Sequence, residues 1–353
     1  YKNQLGTLKE WSAAGTKNNT QLWMQISHAG RQTPGEINSA PMAPSDIGLK
    51  IPGKNFGTPT PMTEEDILDV IDRFVFTAKI ARDTGFTGVQ FHSAHGYLLS
   101  EFLSPDINNR TDAWGGSIEN RTRIHLEIIK RCRQEVGEDY PISVKLNSAD
   151  FQKGGFSPNE SIKVAQMLEN AGVDIIEISG GTYEQPKLIG VEASINAKRS
   201  EKRKESTIAR EAYFLEYAQD IRKAVSIPLM VTGGFRTREG INDALQSNVC
   251  QIVGIGRPLC ADPYCIKKMI SGELETLPSF EKTLSLGPSI LSPSSPFTLI
   301  KVINAFASMA WFYQQIKNMA KGLMPNQEQK LFNAFTADMK ADKLALKDYL
   351  KNK

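Results

Sequence analysis

Six short runs rich in β-branched and apolar residues, each followed by a longer run with helical spacing, recur along this chain at roughly 30-residue intervals. No other feature limits the fold so strongly, because strands joined through helical crossovers pair in parallel. The runs cover 21–27, 88–92, 142–146, 174–179, 228–232 and 250–255. After the first of them, Thr63 reads as an N-cap with Glu64, Glu65 and Asp66 in the first turn. Ile67, Val70, Ile71, Phe74, Ala78 and Ala81 then keep one helical face as far as Gly85. Further helices are predicted over 118–136, 158–171, 208–225, 237–245 and 263–270, with one more over 8–14. Ser157, Pro158 and Glu160 have the spacing of a capping box.

Strand count alone allows a doubly wound sheet or a (β/α)8 TIM barrel. The ends of the runs favour the barrel: His28, His92, Lys145, Gly180, Gly233 and Gly256 put a polar residue or glycine at nearly every one. In a barrel such ends converge on one mouth, whereas an open sheet uses mainly its switch point. The long Pro-, Gly- and Ser-rich segment 30–61 reads as a binding loop or lid.

Charge and cysteine usage narrow the function. The chain carries 42 basic and 39 acidic residues, a net +3 over 353 residues, which is too balanced for a dedicated nucleic-acid binder. Its one basic cluster, Lys198, Arg199, Lys202, Arg203 and Lys204, is interleaved with Glu201 and Glu205 and reads as a solvated loop. Cys132, Cys250, Cys260 and Cys265 form no Cys-x-x-Cys pair, so no metal site is expected. Four cysteines in so long a chain also fit a reducing, cytoplasmic compartment. The apolar stretch 297–316 is interrupted by Lys301, Asn304, Gln314 and Gln315, so it reads as an amphipathic helix lying on the barrel rather than a membrane span. An interfacial membrane helix is its alternative.

The chemistry gathers at strand ends. Two of the four histidines stand three residues apart in Val89–Leu99, where an apolar run passes directly into His92, His95 and Tyr97. A buried strand with hydrogen-bonded histidines would look the same in isolation. Five more motifs surround it: Gln25 to Arg31; Asn109 to Arg121; Ser143 to Leu146; Val231-Thr-Gly233-Gly234-Phe235; and Val253-Gly-Ile-Gly256-Arg257-Pro258.

In that order and spacing the six motifs resemble the Old Yellow Enzyme family over about residues 5–275. These are FMN-dependent ene-reductases and NADH:flavin oxidoreductases built on a (β/α)8 barrel. The resemblance implies FMN as cofactor and NAD(P)H as co-substrate. It also implies an α,β-unsaturated carbonyl or similar small molecule as acceptor. The Gln25 amide would meet the flavin's pyrimidine edge, where it can both donate and accept. Reduced flavin is negative near N1, and Lys145 stands where the family usually has arginine, keeping the charge but losing the bidentate fork. Gly233, Gly234, Gly256 and Arg257 resemble the family's phosphate grip on the last two strands. His92 and His95 would hold the substrate carbonyl as hydrogen-bond donors, and Tyr97 would protonate the neighbouring carbon as general acid. His28 and Arg31 line the same mouth without an assigned role. The Asn109–Arg121 loop reads as structural.

Members of that family place two further strands ahead of the helix at 8–14. The expectation is therefore an N-terminally incomplete barrel over residues 1–278, with six of eight strands visible, and a helical C-terminal extension over 279–353. Relatives that reduce dienoyl-CoA or oxidise methylated amines carry a cysteine-rich cluster motif after the barrel, and this tail has no cysteine. Two other readings stand beside the oxidoreductase: a truncated, non-catalytic remnant, and another FMN barrel of the dihydroorotate dehydrogenase type. The His-x-x-His-x-Tyr series speaks against the latter. The sequence leaves a homo-oligomer open and does not name the substrate.

Overall fold

A computed structural model describes residues 2–49, 51, 55–181 and 214–351. Among them, six strands form one fully parallel sheet: β1 (Trp23–Ile26), β2 (Gly88–Ser93), β3 (Ile142–Asn147), β4 (Ile175–Ser179), β5 (Leu229–Thr232) and β6 (Ile252–Gly254). Their order across the sheet is their order in the chain. A doubly wound sheet reverses direction at a switch point and a barrel does not. The winding is that of a (β/α)8 barrel, of which these six strands form an arc with β1 and β6 at its edges.

Eleven helices accompany the strands among the described residues: α1 (Lys2–Gly15), α2 (Glu64–Asp83), α3 (Leu98–Leu103), α4 (Ile118–Val136), α5 (Pro158–Asn170), α6 (Leu215–Arg222), α7 (Arg238–Gln246), α8 (Arg257–Ala261), α9 (Cys265–Ser271), α10 (Thr298–Ala320) and α11 (Leu331–Lys351). The period-2 alternation of each strand decides what faces them. Val89 and Phe91, Ile142, Val144 and Leu146, Ile176 and Ile178, and Leu229 and Val231 join one core with Ile67, Val70, Ile71 and Phe74 of α2 and Ile124 and Ile128 of α4. Phe74 and Phe91 meet edge-on at 6.0 Å. Each such side chain contributes about 1.5–3 kcal/mol by leaving water. The alternate residues Gln90, His92, Ser143, Lys145, Asn147, Glu177, Ser179 and Thr232 therefore share the opposite, barrel-inner face. Val, Ile and Leu usually fill that space. Here it is polar.

Local signals set the helix starts. Thr63 caps α2 in a reciprocal box with Asp66. Ser157 and Glu160 do the same for α5, and Glu160 is also held by Arg121 of α4. Ser157→Ala is expected to cost about 1 kcal/mol, measured as a lower denaturation midpoint at unchanged slope.

Three elements differ from the sequence reading. Segment 30–61 contains a short parallel pairing, Met42–Ala43 with Thr60–Pro61, and a 3-10 turn at Gly30–Gln32. Helix α3 is new: all six of its residues are buried, so it shows no polar face and no amphipathic period. Helix α8 follows directly on Gly256. The basic cluster at Lys198–Lys204 and the first turns of the helix predicted over 208–225 lie outside the described residues.

The C-terminal segment lies against the β6 end of the arc. Trp311 of α10 is fully buried against Phe280, at 5.6 Å, and donates its Nε1–H to Gln329 O at 2.8 Å. Gln327 donates to the carbonyl of Ala261 in α8. No helix among the described residues is long and apolar enough to cross a membrane.

Candidate active site

The carboxyl ends of the strands carry the titratable groups. β2 delivers His92 on the inner face, and the chain then turns sharply through His95 and Gly96, at φ +64° and +80°. A left-handed histidine persists only where its surroundings over-determine it. Here they do: the His95 N–H donates to Asn147 Oδ1 at 3.2 Å, and its carbonyl accepts from Gln32 Nε2 at 3.1 Å. The turn brings three rings together. His92 lies 5.1 Å from His95 and 4.8 Å from Tyr97, both edge-on. Tyr97 is the N-cap residue of α3, whose burial fixes the backbone beneath it.

Both imidazoles are neutral. Burial, then the Lys145 ammonium, lowers His92 to about 4 against an opposing pull from Glu177. Burial, Lys145 and His92 together hold His95 well below the ordinary histidine range. In His92, Nδ1 accepts from the Ala94 N–H at 3.2 Å, so the ring proton sits on Nε2 and is available to donate. His95 differs, since its Nε2 is 2.8 Å from Ser179 Oγ and either atom of that pair donates.

Across the inner face runs a polar ladder. Gln25 Nε2 donates to Gln90 Oε1 at 2.6 Å, and Gln90 Nε2 donates to Glu177 Oε2 at 2.9 Å. Glu177 Oε1 lies 2.9 Å from Lys145 Nζ, with both side chains largely buried. Burial pushes the Glu177 carboxyl up, but Lys145 above all, with hydrogen bonds that include Gln90's, holds it below the ordinary carboxylate range. The predicted pair Gln25 and Lys145 is thus joined through two residues that the motifs did not single out.

Gly233 and Gly234 follow β5 with φ of +129° and +91°, conformations open to glycine. The Thr232–Gly254 pairing sets them beside Gly256, where an added Cβ would meet nothing within 4 Å. Arg257 and Arg236 both reach the Glu281 carboxylate, at 3.7 and 2.5 Å, so two guanidiniums already gather around an anion at this end. His28 is half-buried and its imidazole is lowered by desolvation and by Arg73; its Nδ1 accepts from the Gly30 N–H. Arg110 and Asp112 pair at 2.5 Å, as expected of a structural loop.

This donor set suits a flavin mononucleotide: an amide and an ammonium on one inner face, with a glycine-lined, guanidinium-flanked end two strands away. The sequence profile of the NADH:flavin oxidoreductase / NADH oxidase family matches residues 2–275. The chain belongs to this family. Family membership makes it a flavin oxidoreductase, with FMN as cofactor and a nicotinamide as co-substrate.

The NADH-dependent flavin oxidoreductase iccE of Talaromyces variabilis is 33% identical over 337 residues, covering 90% of this chain and 78% of that protein. The NADH oxidase of Thermoanaerobacter brockii is 36% identical over 255 residues, 71% of this chain but 36% of that protein. Among solved structures, a 2-naphthoyl-CoA reductase in complex with 2-naphthoyl-CoA superposes with a TM-score of 0.67 at 29% identity, covering 78% of this chain and 42% of the other. An Old Yellow Enzyme homologue from Zymomonas mobilis gives 0.61 over 81% of this chain and 76% of that one, and at 24% identity it bears on the fold alone. The chain thus spans well under half of some relatives and about three-quarters of others.

Within this flavin oxidoreductase, Glu177, Gln90, Ser179 and Asn147 are the site residues that motif reading missed. One signal was available for Glu177: a single carboxylate in the otherwise apolar run Ile175–Ser179.

Proposed function

We propose that the chain binds FMN at the mouth of the strands and reduces a small α,β-unsaturated carbonyl compound at the expense of NAD(P)H. When bound, FMN supplies the hydride chemistry, accepting from the nicotinamide and delivering to the activated alkene. The observation that carries the reading is the edge-on cluster of His92, His95 and Tyr97 at the same strand ends as Gln25 and Lys145. A neutral His92 with its proton on Nε2 donates to the substrate carbonyl, where negative charge grows. His95 is the second donor, in the tautomer that leaves a ring N–H for the substrate. Tyr97 gives the proton that completes the saturated carbon.

Gln25 and Lys145 hold the flavin ring, and Gly233, Gly234, Gly256 and Arg257 hold its phosphate. The same reading makes 1–278 the catalytic barrel and 279–353 an extension braced on it through Glu281 and Trp311. Free thiols at Cys132, Cys250, Cys260 and Cys265 fit a cytoplasmic setting.

Reconstitution with FMN tests the proposal. The purified chain is expected to retain flavin absorbance bands after desalting and to lose them on anaerobic addition of NADH or NADPH, with the bands restored by an enone or a conjugated thioester. A chain that retains no flavin overturns it.

A further inference from the structure

We infer that Glu177 is a positioning residue of the flavin site, anchoring Lys145 directly and setting, through Gln90, which end of the Gln25 amide faces the mouth. This rests on the FMN reading above and concerns residues that the family motifs leave unassigned.

The chemistry of the ladder gives it a direction. Glu177 is 4% exposed, and its ionised carboxylate only accepts hydrogen bonds. One oxygen takes the Lys145 ammonium and the other takes Gln90 Nε2, both at 2.9 Å. Gln90 must therefore turn its NH2 toward Glu177 and Ser143, whose Oγ is 3.2 Å away. That leaves the Gln90 carbonyl oxygen for Gln25, which donates its own NH2 at 2.6 Å. The two ends of an amide are otherwise hard to tell apart. Here a buried acceptor at the end of the chain decides both. The outcome is a Gln25 whose carbonyl oxygen is left over, an acceptor suited to the imide N–H of a flavin's pyrimidine edge.

Charge supplies the second consequence. Lys145 alone would place a full positive charge beside the ring and favour its reduced, anionic form. Glu177 offsets that charge at a separation of 2.9 Å. It therefore restrains the flavin's potential while it keeps the lysine in place.

The test uses the full chain loaded with FMN, comparing wild type with Glu177→Gln, Glu177→Asp and Gln90→Met. FMN affinity is read by fluorescence quenching and midpoint potential by dye equilibration. Glu177→Gln is expected to shift the ratio of reduced to oxidised FMN affinity about tenfold toward the reduced form, a rise of ~30 mV for the two-electron couple. Glu177→Asp is expected to bring the potential back toward wild type. Gln90→Met leaves the ion pair but cuts the relay, so it should weaken oxidised FMN about tenfold at nearly unchanged potential. A role in packing alone would lower stability and leave the potential where it was.

A wild-type chain that binds FMN and a folded Glu177→Gln with unchanged potential overturn the inference and leave the functional reading standing. No FMN binding by wild type overturns both. Should Glu177→Gln fail to fold, wild-type affinity in Gln90→Met overturns the relay.

Discussion

Tyr97→Phe is expected to slow the oxidative half-reaction by roughly 10²–10⁴-fold while leaving flavin reduction by NAD(P)H within a few-fold of wild type. The substitution removes the phenolic oxygen and little else. The ring that lies 4.8 Å from His92 remains, as does the backbone N-cap of α3 on which it stands. Hydride arrival at an activated alkene leaves a carbanion-like centre conjugated to the carbonyl. In the proposed reaction His92 and His95 relieve the charge on oxygen, but neither supplies the proton to carbon. Without Tyr97 that proton must come from solvent. Reduction by the nicotinamide involves no such proton transfer, so the two half-reactions should separate cleanly. Single-turnover stopped-flow absorbance of the flavin measures each one. If both slow equally, the defect lies in flavin positioning and Tyr97 is not the acid.

What the sequence disclosed follows from how local each signal is. The caps at Thr63 and Ser157 need only three or four neighbouring residues, and both were read directly. The strand order was legible because each βαβ unit closes on its immediate neighbour, and polar strand ends distinguished barrel from doubly wound sheet before any pairing was seen. The Lys145–Glu177 pair was not legible, because the contact depends on register between β3 and β4, with Lys145 opposite Glu177. The same holds for His95 and Ser179, 84 residues apart. Helix α3 was missed for a different reason: a six-residue element buried on every side carries no periodicity to find. Family motifs marked the residues expected to touch cofactor and substrate. They did not mark those that hold these residues in place, which act through one another across strands.

Glu101 gives the largest expected effect on stability. It lies on α3 behind the His95–Gly96 turn, 1% exposed, with Oε1 accepting from the Arg31 N–H at 2.9 Å and Oε2 without a hydrogen-bond partner among the described residues. Burial outweighs the nearby Arg31 charge and raises its carboxyl from 4.5 to about 8. The folded protein thus keeps a proton there that the unfolded chain releases above pH 4.5. The associated stability is fully present below that value and is lost as pH rises through about 8. Other buried groups titrate lower. Asp150 is raised only to about 6, while His28, His92, His95 and His125 are all lowered and withdraw stability as pH falls through the unfolded-state value of about 6.5. Between pH 6.5 and 8 the difference between wild type and a variant without the Glu101 proton therefore isolates Glu101, because the histidine contributions are common to both. At ~1.4 kcal/mol per pH unit for one proton, wild type should lose roughly 1.5–2 kcal/mol across that interval relative to a variant that cannot titrate there. Glu101→Gln keeps the shape and the acceptor for Arg31 without a titrating proton, so its unfolding free energy should rise over the same range as the unfolded histidines give up their protons, and wild type should fall progressively behind it. Urea denaturation at half-unit pH steps measures both curves, and a wild-type profile parallel to that of the variant would show that Glu101 is already ionised in the folded protein.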